Sequence, residues 1–557
     1  MPLGSFVLAL HGHLPWVLNH GRRPHGVHWL YEAALGTWLP LLDVVDELAR
    51  RGRAAKITLG LTPVLLEQLR HPDFVSGMER YLDELLEMAR QDGQEARLAL
   101  LAARWEGQLL AHRDRLRALG GDLVGAFAAH ARAGNLEILS SFATHAYAPL
   151  TLHDASVRAQ LAVGLRTSER HLGFRPTGLW LPECAFRPTG PWTPPVLHRD
   201  VREREGVDRI LESEGITHFF VDGAMYAGIR SEGVVDQGMF RKVGWDHAER
   251  DPRRAWRSVL EPHLISTTGG PSRIAAFARH PATSEQVWSA DGGYPGDPRY
   301  LEFHKRRTDG GLRYWRVTHR KADLADKELY RPEDVPGAVY AHAQHFANTV
   351  RQALRDHHAT TGRPGCLTAT FDAELFGHWW HEGPQFLREA LLALLHDPDV
   401  VVQTAAERLH TVPPDKVGWL PEGSWGAGGD HRVWFNDTLS WMWEALYRAE
   451  DRFLGLRWDA AQSGDPRGAA LVRKAARELL LVQASDWPFI ITTGGAVDYG
   501  YQRFCGHLTR FDRLASLAHD VIHGRPVHDL QLLEEQEADA HSPCFEHLRI
   551  EDWGEIR

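Results

Sequence analysis

Short apolar runs recur along the first four hundred residues, each bounded by Gly, Pro or polar residues, with helically spaced stretches between them. The runs at 6–10, 55–61, 136–140, 177–181, 218–221, 273–278, 366–371 and 400–403 read as buried strands. Strands alternating with helices predict a parallel sheet or barrel, an α/β fold. The alternation breaks between 65 and 120. There Tyr81, Leu82, Leu85, Leu86, Met88 and Ala89 share one helical stripe, and Leu101, Trp105, Leu109 and Leu116 share another. Gly120-Gly121 then supplies a helix stop. From about 411 the strand pattern vanishes, and 437–455 and 467–484 have helical spacing, joined by a polar link at 462–468. The expected organisation is a barrel over 1–64 and 121–410, a helical insertion over 65–120 and a helical C-terminal domain over 411–557.

The residues that follow the strands carry the chemistry. His11 and His13 follow the first, His145 the third, Glu183 the fourth, Asp222 the fifth, Arg279 the sixth and Asp372 the seventh. Parallel barrels and α/β sheets build their sites at the C-terminal strand ends. Two of these residues are carboxylates placed alike. Leu179-Trp180-Leu181-Pro182-Glu183 ends an apolar run with a proline and then an acid, and Thr368-Ala369-Thr370-Phe371-Asp372 ends another on an acid. In a chain with 20 Trp, two carboxylates at two strand ends point to cleavage of glycosidic bonds, which proceeds through such a pair.

Alternatives stand beside each candidate. Glu374 follows Asp372 by two residues, and spacing alone allows either to be the general acid; Asp372 is nearer the strand end and is preferred. His11 and His13 alternate along the chain, so in an extended segment both imidazoles face one side. They could donate hydrogen bonds to sugar hydroxyls or ligate a metal. Trp29, Trp288, Trp425 and Trp434 sit among Gly, Ser, Asp and other polar residues, where an indole plane could stack on the apolar face of a sugar. Core packing claims most Trp, and Trp441 and Trp443 are assigned to it. Asp486, in Asp486-Trp487-Pro488-Phe489, is expected where Pro488 stops an apolar helix, and local capping is the plain reading.

Composition narrows the classes. A formal charge of −10 over 557 residues argues against an electrostatic nucleic-acid binder. The four Cys at 184, 366, 505 and 544 form no CxxC pair, against a structural zinc site or disulfide framework. The start of the chain lacks a basic n-region, His11 cuts its apolar run short, and no stretch is long and apolar enough to span a membrane. A cytoplasmic location is expected.

The motifs, taken together, resemble glycoside hydrolase family 57, and within it the 1,4-α-glucan branching enzymes. The matching stretches are His11-Gly-His-Leu-Pro, Leu179-Trp-Leu-Pro-Glu-Cys-Ala-Phe, Gln286-Val-Trp-Ser-Ala-Asp-Gly-Gly-Tyr-Pro-Gly, Phe371-Asp-Ala-Glu-Leu-Phe-Gly-His-Trp-Trp, Pro421-Glu-Gly-Ser-Trp-Gly and Ser485-Asp-Trp-Pro-Phe. The resemblance implies a distorted (β/α)7 barrel, a helical C-terminal domain closing over the groove, and a retaining double displacement with no metal or other cofactor. By motif, Glu183 would be the nucleophile and Asp372 the general acid/base. His11, His13, His145 and Arg279 would line the cleavage subsite, and Trp29, Trp288, Trp425, Trp434 and Asp486 would hold an α-glucan such as amylose or glycogen. One segment departs from the pattern. After Val221-Asp222, Ala224 stands where a His is common, and Tyr226 is the only Tyr between 222 and 270, where branching enzymes carry a loop tyrosine that shields the intermediate.

Overall fold

A computed structural model describes residues 2–23, 25–197, 200–242 and 257–555. Each of the eight sequence-predicted strands is present. Seven of them are parallel neighbours: β1 (Gly4–Gly12), β2 (Ile57–Leu61), β3 (Leu136–Leu139), β4 (Gly178–Leu179), β5 (His218–Val221), β6 (Ala275–Ala278) and β7 (Gly365–Asp372). β7 pairs with β1, β1 with β2 and β2 with β3 in continuous parallel register, as do β4 with β5 and β5 with β6. Two single parallel bridges complete the circuit, Ser140 to Leu179 between β3 and β4, and Arg279 to Thr368 between β6 and β7. The pairings therefore close a ring of seven strands in chain order. It is distorted because both joins are one bridge wide and β4 is two residues long. β1, β2, β5 and β6 are buried along their whole length, as strands covered on both faces must be, which is why they read as continuous apolar runs.

The eighth predicted strand, Val400–Val402, lies outside the ring and pairs with the first residues of β1. A branch leaves the ring at β6 through His263–Ile265, then Lys416–Trp419, Arg230–Asp236 and Met239–Lys242. Lys416–Trp419 lies past residue 411, where the sequence pattern had the strands vanish, and joins the sheet system of the barrel. Its Lys416 and Gly418 interrupt the continuous apolar run by which the ring strands are recognised.

The insertion is helical, with Pro72–Asp92 packed on Ala99–Ala118. Beyond Trp419 the chain is helical through Ser440–Ser463, Pro466–Val482, Asp486–Thr493, Val497–Ile522 and Asp529–His541. Asp486 opens a helix rather than closing one: Pro488 falls in its first turn, where a missing N–H costs nothing. Among the described residues no helix is long and apolar enough to cross a membrane.

Candidate active site

The C-terminal ends of the ring strands converge on one site. His11, one residue before the end of β1, is in register with Asp372 at the end of β7. Past β4, Pro182 starts a single 3-10 turn and Glu183 takes a left-handed backbone, φ 60°, ψ 21°. His145, past β3, is also left-handed at φ 61°. Such conformations cost on the order of 1–3 kcal/mol each for residues with a Cβ and persist where neighbours over-determine them. Here the neighbours are segments distant in sequence. Phe186 and Gly423 form an antiparallel bridge, Trp425 donates its backbone N–H to the Glu183 carbonyl at 3.0 Å, and Ser485 donates its own to the His145 carbonyl at 3.0 Å.

Glu183 is 8% exposed and its carboxylate accepts two hydrogen bonds. Ser485 Oγ donates to Oε1 at 2.7 Å and the Trp425 indole Nε1–H donates to Oε2 at 2.9 Å. The direction of the first bond fixes those behind it. Because Ser485 gives its proton to Glu183, its oxygen accepts from His145 Nδ1–H at 2.9 Å. A neutral His145 then has a bare Nε2, which accepts from His11 Nε2–H at 3.0 Å. Burial, followed by the charge of His13, pulls both the His11 and His145 imidazoles well below their ordinary pKa, so both are neutral and the series His11, His145, Ser485, Glu183 donates one way. Among the described residues His11 Nδ1 is left as a lone pair with no partner, and its ring stacks on Trp180 at 4.6 Å.

His13 is held differently. Its Nε2 contacts both Asp486 oxygens at 3.0 and 3.1 Å, and its Nδ1 meets Thr62 Oγ at 3.0 Å. Its backbone N–H donates to Glu374 Oε1 at 3.0 Å. Arg279 pairs with Asp222 and carries its guanidinium 5.7 Å from the Trp425 ring.

Asp372 has no hydrogen bond to its carboxyl among the described residues. Burial, and then the charge of Glu183, push its pKa up to about 7. Burial raises Glu183 as well, but there the bonds from Ser485 and Trp425 pull back. Glu374 is buried, and desolvation followed by the charge of Asp372 holds its carboxyl well above the usual range. The site thus holds two carboxyls raised by burial, Glu183 with two hydrogen-bond donors that oppose the shift and Asp372, at about 7, with none among the described residues.

His13, His145 and Asp486 also offer three ligand atoms within 4.8 Å of one another, a grouping that spacing along the chain did not reveal. Their hydrogen bonds compete with metal binding. His145 would have to give up His11 or Ser485, and His13 would have to surrender Asp486 or Thr62.

The four candidate Trp separate. Trp425 reaches the site by its N–H as well as its ring. Trp288 is 38% exposed and lies 6.4 Å from Trp379. Trp29 is half-buried beside His25 and Tyr499. Trp434 is 1% exposed: it stacks on Tyr147 at 4.6 Å, and its carbonyl accepts from Trp443 Nε1. The expectation that Trp434 offers a sugar-stacking plane is corrected, since its polar flanks belong to a loop that folds over it. Tyr226 is buried at 0% exposure and donates to the Ala276 carbonyl at 2.7 Å, so it is a core residue and shields no intermediate. Part of the atypical segment, 243–256, lies outside the described residues. Ser485 and Thr62 were missed as site residues: neither titrates, and the Ser485 contact with Glu183 spans 302 positions.

The model for "Glycosyl hydrolase family 57" matches residues 7–417. The chain belongs to glycosyl hydrolase family 57. A second model, "1,4-alpha-glucan branching enzyme, C-terminal", matches 445–553. The 1,4-alpha-glucan branching enzyme of Thermococcus kodakarensis is 37% identical over 96% of this chain and 76% of its own length. A probable 1,4-alpha-glucan branching enzyme of Mycobacterium tuberculosis is 31% identical over 91% of this chain and 90% of its own. The crystal structure of the branching enzyme from Pyrococcus horikoshii superposes with a TM-score of 0.88 at 33% identity, covering 100% of this chain and 97% of that one. The α-amylase AmyC of Thermotoga maritima superposes with a TM-score of 0.81 at 28% identity, covering 100% and 99%.

Proposed function

We propose that this protein is a 1,4-α-glucan branching enzyme: it cleaves an α-1,4 glucosidic bond with retention and transfers the released segment to a 6-hydroxyl, making an α-1,6 branch. The observation that carries the reading is the pair of strand-end carboxyls in unlike surroundings, Glu183 braced by hydrogen bonds from Ser485 and Trp425, Asp372 without such donors among the described residues and raised to about 7. Glu183 attacks C1 while Asp372 protonates the departing oxygen. The resulting glucosyl ester is resolved when Asp372, now a base, takes the proton of the incoming 6-hydroxyl. Arg279, His11, His13 and His145 line the reacting ring, and Asp486 acts through His13. Trp29, Trp288 and Trp425 carry the chain of glucose units. The part of the chain beyond Trp419 supplies Ser485 and Trp425 and keeps water from the ester.

A same-family reading as an α-amylase or 4-α-glucanotransferase gains support from the likeness to AmyC. The branching reading is favoured because the C-terminal match is to the branching-enzyme model. Incubation with amylose, followed by debranching and comparison of chain lengths, separates them. New α-1,6 linkages support branching, and their absence with shortened chains supports hydrolysis. Turnover that survives a chelator counts against the metal-dependent deacetylase alternative. We further propose a cytoplasmic role on glycogen or an amylose-like glucan, supported by the unpaired state of Cys184, Cys366, Cys505 and Cys544.

A further inference from the structure

A second cavity, of about 380 Å³, opens where the helical insertion meets the barrel, behind the segment that continues from Asp372. Its wall carries three guanidiniums, from Arg104, Arg306 and Arg313, and one carboxylate, Glu32. That carboxylate is already committed: Arg306 forks onto it at 3.1 and 2.9 Å. Arg313 is half-buried over the Phe303 ring at 5.6 Å, and its side chain's acceptor is the His378 carbonyl at 3.3 Å. Its backbone carbonyl accepts from Trp105 Nε1 at 2.7 Å, which ties the Arg313 backbone to the insertion helix. Among the described residues neither Arg104 nor Arg313 has a carboxylate within ion-pair distance. Burial, and then the Arg306 charge, pull the Arg313 guanidinium down to about 10, against the opposing charges of Glu32 and Glu382.

Arg313 is partly desolvated, and of the two carboxylates that act on its charge Glu32 is already forked by Arg306; an anion bound beside Arg313 and the exposed Arg104 would offset the remaining cost. Guanidinium forks match phosphate oxygens, and the cavity has room for a hexose beside the phosphoryl group. We propose that this cavity is an anion site, separate from the glucan cleft, that binds a small phosphoryl-bearing molecule of hexose-phosphate size between Arg104 and Arg313. The site is independent of the branching reading: its residues do not contact Glu183 or Asp372 in any hydrogen bond or ion pair described above.

Calorimetric titration of the full chain at fixed low ionic strength tests it, with glucose 6-phosphate, inorganic phosphate and glucose as probes. Saturating maltooligosaccharide is present to occupy the cleft. Saturable binding of a phosphoryl probe is expected, weakened at least fivefold in R104A and at least tenfold in R104A/R313A. Arg104 is exposed, so R104A keeps the fold, and its activity on short substrates should stay unchanged. Tighter binding of glucose 6-phosphate identifies a sugar phosphate as the ligand, and equal affinities identify free phosphate; both support the site. No binding by the unmodified chain, equal binding by R104A, or glucose binding as tightly as glucose 6-phosphate would overturn it.

Discussion

Glu183 and Asp372 sit on opposite arcs of one barrel mouth, and burial raises the pKa of both. Their surroundings differ in one respect. Glu183 is reached by Ser485 and Trp425, on segments that arrive after the barrel is complete, and each donates a hydrogen bond to it. Asp372 ends its own strand and receives none among the described residues. The contrast teaches that desolvation sets both groups to the same sign of shift, and hydrogen bonds from the C-terminal part assign them opposite tasks. A braced carboxylate can attack, and an unbraced one stays protonated long enough to be an acid.

The comparison breaks most severely in E183Q. Turnover of amylose should fall by roughly four orders of magnitude or more, measured as released and transferred chains, with glucan binding retained. An activated aryl maltooligoside should not rescue it. D372N should lose about two to four orders of magnitude on amylose, yet recover its first step on the aryl substrate, whose leaving group needs no proton. Rescue of both variants, or of neither, would erase the distinction between the two acids.

The pH profile sharpens it. On the proposed mechanism Asp372 is protonated for the first step, so kcat/KM should decline as pH rises through about 7, and D372N should lack that decline. Stability carries the same sign. A carboxyl raised in the folded state gives stability that is present below its unfolded pKa and lost as pH rises through about 7. D372N should therefore gain in Tm over the unmodified chain more at pH 8 than at pH 4.

A smaller effect is expected at the brace. S485A removes one hydrogen bond to a charged group, worth about 1.5–3 kcal/mol, and should lower kcat about ten- to a hundredfold. It should also move the acidic limb of kcat/KM upward, because Glu183 loses a donor that favoured its ionised form. A loss of activity with an unmoved limb would mean that Ser485 only packs. W425F and W434F divide in the same way. W425F should cost turnover at nearly constant Tm. W434F should cost roughly 1–3 kcal/mol of stability at nearly constant turnover, since the Trp434 indole N–H has no partner to lose. The smallest effect belongs to E374Q, within about threefold. A neutral buried carboxyl and an amide are close in shape, and the His13 N–H keeps a carbonyl to donate to. A loss as large as that of D372N would transfer the acid role to Glu374.

The ring strands and the acids at their ends were legible in the sequence because a doubly covered strand is an unbroken apolar run, and its end is marked by Pro or a charge. Lys416–Trp419 was not, because Lys416 and Gly418 break the apolar run that marks the other strands, and its pairing is set by distant partners. Pro488 was read as a stop, although proline is as compatible with the first turn of a helix as with its end. In the site, titratable residues were found and Ser485 was not: its role exists only once residues 302 positions apart meet. Trp434 shows the converse, since local polarity marks a loop but says nothing of what the loop covers.

The most direct measurement is peptide mass spectrometry of D372N after reaction with an α-maltosyl fluoride. Fluoride leaves without acid help, and loss of the base slows resolution of the ester, so the covalent intermediate should accumulate. The account predicts a maltosyl adduct on the peptide that carries Glu183, absent in E183Q/D372N. An adduct on another carboxylate, or fluoride release with no adduct on the way, would contradict it.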